Sequence, residues 1–302
     1  MQNYIETYLD YCKFRKELDA KTIKAYRIDL TQYFSFVKDN YLEEEKNEEY
    51  ITNLHKRYKQ KTIKRKIASV KAYFNYLEEK KILRENPLKK INVRFKEVVT
   101  LPRIIPRYEI EQLLNYMYSQ KITGSEKRFW LRDIAVIEVC FATGARVCEI
   151  SNIRKGSIDL NSGLIQIMGK GKKERYIQIS EPKVLDLLNK YYKENKEMIE
   201  KGDYFFINNR GNRFSEQSIR LMLKKYCHLA GIKRNITPHM FRHSFATYLI
   251  EEGVDVSCVQ QILGHSSIKT TQIYIHIAAR KQAEILKALH PRNKMKIYEY
   301  VA

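Results

Sequence analysis

Residues 237–276 read TPHMFRHSFATYLIEEGVDVSCVQQILGHSSIKTTQIYIH. Thr237 is a good N-cap and Pro238 a good first helical residue, so a helix starts here. Phe241, Phe245, Leu249 and Ile250 supply its core contacts. His239 and Arg242 are three apart and share one face, about 5–6 Å between Cβ atoms. Both stand in the first turn, where the helix dipole favours an anion. A lone histidine at such a place is more often structural, whereas a histidine with an arginine points to a phosphate. Leu263-Gly264-His265 ends the next helix. The segment Ser267–Ile275 carries Tyr274, one of 22 tyrosines, which by itself reads as core.

Two upstream stretches carry further polar groups in unusual places. Residues 142–150, ATGARVCEI, follow an apolar helix. Gly144 breaks that helix and lets the backbone turn. Arg146 then stands among Val147, Cys148 and Ile150, and a partly buried guanidinium demands an anionic partner. Glu149 is either that partner or the group that orients Arg146; a purely structural Arg–Glu pair is the equal alternative. Residues 167–179, IMGKGKKERYIQI, read as two strands joined by a Gly-Lys turn, with Lys170 at an open tip. In isolation that tip is ordinary hairpin chemistry.

The chain has 302 residues, 56 Lys+Arg against 35 Asp+Glu, and a net charge of +21. At roughly 150 residues per domain, two domains are expected. So large an excess of positive charge attracts polyanions, DNA or RNA first and a membrane surface second; the plain alternative is a lysine-rich solvated surface. Residues 1–97 hold 23 basic and 15 acidic residues, so both halves are positive. The longest apolar run, Ile134–Ala142, is interrupted by Glu138 and is far shorter than the ~20 residues of a membrane span. MQNYIETYLD lacks the pattern of a secretory leader. Five cysteines without a C-x-x-C pair support neither a disulfide scaffold nor a zinc site, and suit a reducing cytoplasm. No Asp/Glu cluster suggests a catalytic Mg²⁺, and no G-x-x-x-x-G-K-[ST] loop suggests ATP, so no cofactor is expected.

Residues 1–97 read as four helices, with Asp19 capping the second and Ile63, Ile67, Val70, Phe74 and Leu77 facing inward on the fourth. His55–Lys66 holds seven Lys/Arg and no acid at the start of that helix. Lys56, Arg57, Lys59, Lys61, Lys64 and Arg65 are therefore candidate DNA-backbone contacts, and Lys172 and Lys173 of the hairpin join them; a solvated face is the alternative. An extended linker over 98–107 follows, then a second domain over 108–302. It has helices at Tyr108–Ser119, Lys127–Ala142 and from Pro182, strands at Gly163–Met168 and Arg175–Ile179, a short strand near Tyr204–Ile207, and helices from Ser215 onward. The fold class is mainly α with a small antiparallel sheet in the C-terminal domain.

Taken in order, Arg146, Lys170, His239-x-x-Arg242, His265 and Tyr274, with the phrases quoted above and the tail KALHPRN, resemble the tyrosine recombinase (phage-type integrase) family, closest to its short Xer-like members. The resemblance covers roughly residues 3–292. It implies a helical core-binding domain and a catalytic domain that form a C-shaped clamp on duplex DNA. It implies that Arg146 and Arg242 clamp the scissile phosphate and that Tyr274 attacks it, leaving a 3′-phosphotyrosyl bond and a free 5′-hydroxyl. Lys170 would protonate the leaving oxygen, and His239 and His265 would hydrogen-bond the phosphate and assist proton transfer. The implied partners are inverted-repeat DNA sites, a tetramer of this chain or of this chain with a related recombinase, and a DNA translocase or accessory factor. The Arg280–Leu289 segment would dock on a neighbouring protomer or pack on its own domain. With no arm-binding domain ahead of residue 1, the larger lambda-like integrases are disfavoured. Arg107 stands where the family has a small or acidic helix cap, a departure expected to touch only the linker. A silent DNA-binding protein on the same scaffold and a type IB topoisomerase are the competing readings.

Overall fold

The computed structural model describes residues 2–89, 91, 93, 95, 103–169 and 174–264. The chain divides into two compact units, Met1–Val98 and Val99–Ala302.

Among the described residues the first unit has four α-helices: α1 (Ile5–Phe14), α2 (Ala20–Val37), α3 (Glu44–Arg57) and α4 (Gln60–Glu79). Asp19 caps α2 as expected, its carboxylate accepting from the Thr22 N–H at 2.9 Å. The five inward positions expected on α4 are all buried, and α2 adds Leu30, Tyr33 and Phe34. The core is aromatic. Tyr33, Phe34, Tyr73 and Phe74 pack ring on ring at 5–6 Å, mostly edge to face, an arrangement that contributes beyond area burial. A charged pair, Asp29 and Lys66, is buried with it. Asp29 is fully buried and accepts from Lys66 at 3.0 Å, from Ser69 Oγ at 2.9 Å and from Arg65. A buried carboxylate with this many donors locks α2 to α4.

The second unit contains α5 (Arg107–Ser119), α6 (Lys127–Thr143), the short α7 (Val147–Ser151), strands β1 (Ile158–Asp159), β2 (Leu164–Met168) and β3 (Glu174–Gln178), then α8 (Pro182–Lys201), α9 (Glu216–Leu229), α10 (Pro238–Glu251) and α11 (Val256–Leu263). The sheet is antiparallel in the order β1-β2-β3, and Met168 pairs with Glu174 where the β2–β3 hairpin closes. Helix α6 is the central rod. Ile134 to Ile137 and Val139 are wholly buried, and it packs on α8 and α10. The fold is therefore mainly helical with one small antiparallel sheet.

Three local expectations need correction. The stretch Tyr204–Ile207 is not a strand: it makes two isolated bridges, Arg154–Tyr204 and Ile207–Arg213, because Phe205 and Phe206 are drawn into the core around Tyr191. Helix α5 begins at Arg107, so this residue does more than touch a linker. It pairs with Glu252, the C-cap of α10, at 2.8 Å and stacks on Tyr248 of that helix at 4.7 Å. Ile105, between the two prolines, is fully buried, and its N–H donates to Ser244 Oγ at 2.7 Å. The two-residue β1 was not anticipated; two residues are too short a run to show periodicity.

Candidate active site

The site is assembled from helix ends. Helix α6 stops at Gly144, which takes the left-handed conformation (φ 57°). A Cβ there would fall 2.5 Å from Phe245 Cδ1 and 2.8 Å from Leu263 Cδ2, so glycine is required by both backbone shape and packing. The turn delivers Arg146 to the N-cap position of α7 in an extended conformation.

Glu149, one turn on, holds Arg146 twice. Its Oε2 accepts from the Arg146 backbone N–H at 2.8 Å, and its Oε1 from Arg146 Nη1 at 2.8 Å. The Glu149 side chain is only 3% exposed, whereas Arg146 remains 35% exposed. Arg146 thus stays open to an anion while its base is fixed.

A second guanidinium shares the carboxylate. Arg175 of β3 donates Nη2 to Glu149 Oε2 at 2.7 Å and Nη1 to Oε1 at 3.2 Å. Burial is the largest single influence on Glu149 and pushes its pKa up. The hydrogen bond from Arg175, the Arg146 backbone N–H, the Arg175 charge and the Arg146 side-chain hydrogen bond together outweigh it, and the net shift is below the ordinary carboxylate value.

Helix α10 supplies two more candidates, His239 and Arg242. Thr237 stands at its N-cap and Pro238 at N1, as the sequence indicates, but the Thr237 hydroxyl makes no capping bond. The Thr237 carbonyl accepts from Met240 N–H at 2.9 Å instead, which closes the first turn through the backbone. His239 is exposed, and Arg242 is buried. Arg242 donates Nη1 to the Gly144 carbonyl at 2.8 Å and Nη2 to the Leu263 carbonyl at 2.7 Å. It therefore ties the turn that precedes Arg146 to the C-terminus of α11, which precedes His265. The pKa of His243, beside it, is pushed down, by burial first and then by His239 and the Arg242 charge.

Of the sequence candidates, Arg146 and Arg242 are brought to one turn, and His239 lies on the same helix start as Arg242. Lys170, Lys172, Lys173, His265 and Tyr274 lie outside the described residues. In the first unit, Lys56 and Arg57 end α3, Lys59 caps α4, and Lys61, Lys64 and Arg65 follow on it, all exposed. Arg65 also serves the interior through Asp29, and Lys66, between these positions in sequence, is buried on the same carboxylate. Arg175 was not singled out from the sequence. The signal was present: alternation along β3 sets it on the same face as the buried Ile177. Among the described residues no group of three or more His, Cys, Asp or Glu could hold a metal ion, and no helix is long and apolar enough to cross a membrane.

Comparison with known proteins gives this arrangement its context. Residues 103–281 match the phage integrase family, and residues 5–81 match the phage integrase N-terminal SAM-like domain. A tyrosine recombinase of Agathobacter rectalis is 45% identical over 299 residues, spanning 97% of this chain and 98% of that one. Tyrosine recombinase XerD of Listeria monocytogenes serotype 4b is 33% identical over 304 residues, spanning 97% and 100%. The crystal structure of XerH site-specific recombinase bound to palindromic difH substrate, a post-cleavage complex, shares the fold with a TM-score of 0.72 at 21% identity, over 97% of this chain and 85% of that one. Carrying both matched domains along nearly its whole length, the chain belongs to the phage integrase family, among its short Xer-like tyrosine recombinases.

Proposed function

We propose that this tyrosine-type site-specific DNA recombinase performs its strand exchange with Arg146, Lys170, His239, Arg242, His265 and Tyr274. The observation that carries the reading is the Arg242 tether: one guanidinium reaches Gly144, two residues ahead of Arg146, and Leu263, two residues ahead of His265. The turn ahead of Arg146 and the end of α11 are thereby tied to one side chain of the candidate set.

In this mechanism Arg146 and Arg242 face the non-bridging oxygens of the scissile phosphate, whose negative charge grows in the transition state. The Tyr274 phenol, with a free pKa of ~10, loses its proton in that cationic setting and attacks phosphorus. The Oη–P bond forms as the P–O5′ bond breaks, and Lys170 gives the leaving oxygen its proton. His239 and His265 hydrogen-bond the phosphate and pass protons. The 5′-hydroxyl of the partner strand then attacks the phosphotyrosine, through a Holliday junction. The covalent intermediate conserves the energy of the broken bond, so the step asks for neither a nucleotide nor a metal.

The substrate in this reading is duplex DNA with inverted repeats, bound by the second unit and by the basic ends of α3 and α4. Two sites carry four protomers, of this chain or of this chain with a related recombinase, in the cytoplasm. The second unit has an apolar pocket of about 530 Å³ between Leu114, Phe141, Phe245 and Leu249, lined also by Glu111, Glu138, Glu181 and the Arg107–Glu252 pair. The tail 280–289, with Ile285, Leu286 and Leu289 beside Arg280, Lys281 and Lys287, has apolar and basic character that suits such a surface, on a neighbouring protomer or on its own domain.

A nicked suicide substrate containing the cognate site tests the chemistry. The wild-type chain should be trapped as a covalent adduct, and Tyr274→Phe should bind the site and form none. An adduct formed by Tyr274→Phe would refute the assignment. Relaxation of supercoiled plasmid of any sequence would favour a topoisomerase instead.

A further inference from the structure

Glu149 is served by two arginines, and the candidate catalytic set uses one of them. Both its oxygens are doubly occupied: Oε1 by Arg146 Nη1 and Arg175 Nη1, Oε2 by the Arg146 N–H and Arg175 Nη2. A carboxylate offers about four acceptor positions, so this one is saturated. Arg175, 12% exposed, is far less open to solvent than Arg146. It also lies against the end of α11. The Cβ position of Gly264, the left-handed cap of that helix, is 3.2 Å from Arg175 Cδ and 3.2 Å from its Nη1.

We infer that Arg175 is a positioning residue for strand cleavage: by filling the second half of Glu149 it limits that carboxylate to one terminal nitrogen of Arg146 and leaves the rest of the Arg146 fork to the phosphate. Without Arg175, a buried anion would have a single guanidinium to satisfy it. Desolvation then favours a two-nitrogen embrace of Arg146 by Glu149. That embrace turns Arg146 away from the phosphate and neutralises charge the transition state needs. Because Arg175 belongs to β3 and lies against Gly264, it also registers β3 against the end of α11. The inference rests on the recombinase reading of Arg146.

The test compares wild type, Arg175→Ala and Arg146→Ala in single-turnover cleavage of two suicide substrates. One has an ordinary scissile phosphodiester. The other has a methylphosphonate there, in which a methyl group replaces one non-bridging oxygen and removes its charge. Site binding and thermal midpoint are recorded alongside. On the phosphodiester, Arg175→Ala should cleave about 10–100-fold more slowly, the cost known for losing a partner that orients a metal ligand, with site binding little changed. On the methylphosphonate, where less negative charge awaits a cation, the gap between wild type and Arg175→Ala should close. A general structural defect slows both substrates alike, and that result overturns the inference, as does an unchanged rate on the phosphodiester. Where Arg175→Ala fails to fold, Arg175→Lys, which keeps the charge and loses the fork, is compared in its place. Should Arg146→Ala cleave the phosphodiester normally, the reading of Arg146 falls and this inference with it; a normal loss there with full activity in Arg175→Ala refutes the inference alone.

Discussion

Glu149 stays charged although its side chain is 3% exposed, because four donors from Arg146 and Arg175 converge on it. A carboxyl whose folded pKa lies below its unfolded value adds stability above the unfolded value, about 4.3 for Glu. That stability is lost as the pH falls through the lower folded value. Glu149→Gln should therefore be less stable than wild type at pH 7, by about 3–5 kcal/mol if the loss is that of breaking a buried pair. The gap should narrow as urea unfolding is repeated from pH 5 downward; a constant gap would contradict this account. Arg146 and Arg242 should differ from each other. Arg146 is partly exposed, so Arg146→Ala should lose about 10²–10³-fold in cleavage with a small change in thermal midpoint. Arg242 holds two backbone carbonyls, so Arg242→Ala should lose cleavage and also stability, about 1–3 kcal/mol for each carbonyl left without a donor. Equal midpoints for the two variants would show that the Arg242 tether does not hold the loops.

At the scale of the element, helix ends rather than helix faces build the site. Gly144 ends α6 where Phe245 of α10 and Leu263 of α11 leave no room for a Cβ. Gly144→Ala should cost about 1–3 kcal/mol from overpacking, and Phe245→Leu should recover part of it; chemical denaturation of the single and double variants reads this directly. In the first unit the α2–α4 contact depends on Asp29. Asp29→Ala leaves Lys66 buried without its carboxylate and should destabilise by about 3–5 kcal/mol. Its signature is a fall in thermal midpoint with unchanged helix content at low temperature. The alternation along β3 and the periodicity of α4 were legible in the sequence, because each element buries one face. The irregular stretch 204–207 was not, because its aromatic side chains are buried by a neighbouring helix and not by a sheet.

For the whole molecule, a charge of +21 predicts binding dominated by phosphate contacts. The affinity for the site should fall steeply with salt, with a slope of log K against log [salt] of about −0.9 for each phosphate neutralised. Replacing Lys59, Lys61 and Lys64 together by alanine should flatten that slope by roughly two to three units if each meets a phosphate. Discrimination between cognate and scrambled sites should barely change, since backbone contacts position the protein and do not read bases. An unaltered slope would mark these lysines as solvated surface.

The amino-acid sequence by itself determined the helical character, the antiparallel hairpin and the order Arg146, Lys170, His239, Arg242, His265, Tyr274. These are local properties: periodicity, turn residues and residue type at a fixed spacing. Tertiary structure alone decided that Arg242 bonds carbonyls 98 and 21 residues away, that Glu149 is divided between two guanidiniums, and that Arg65 answers to a buried aspartate as well as to solvent. Each depends on which donor a desolvated acceptor meets once the chain has closed, and a linear pattern does not encode that distance.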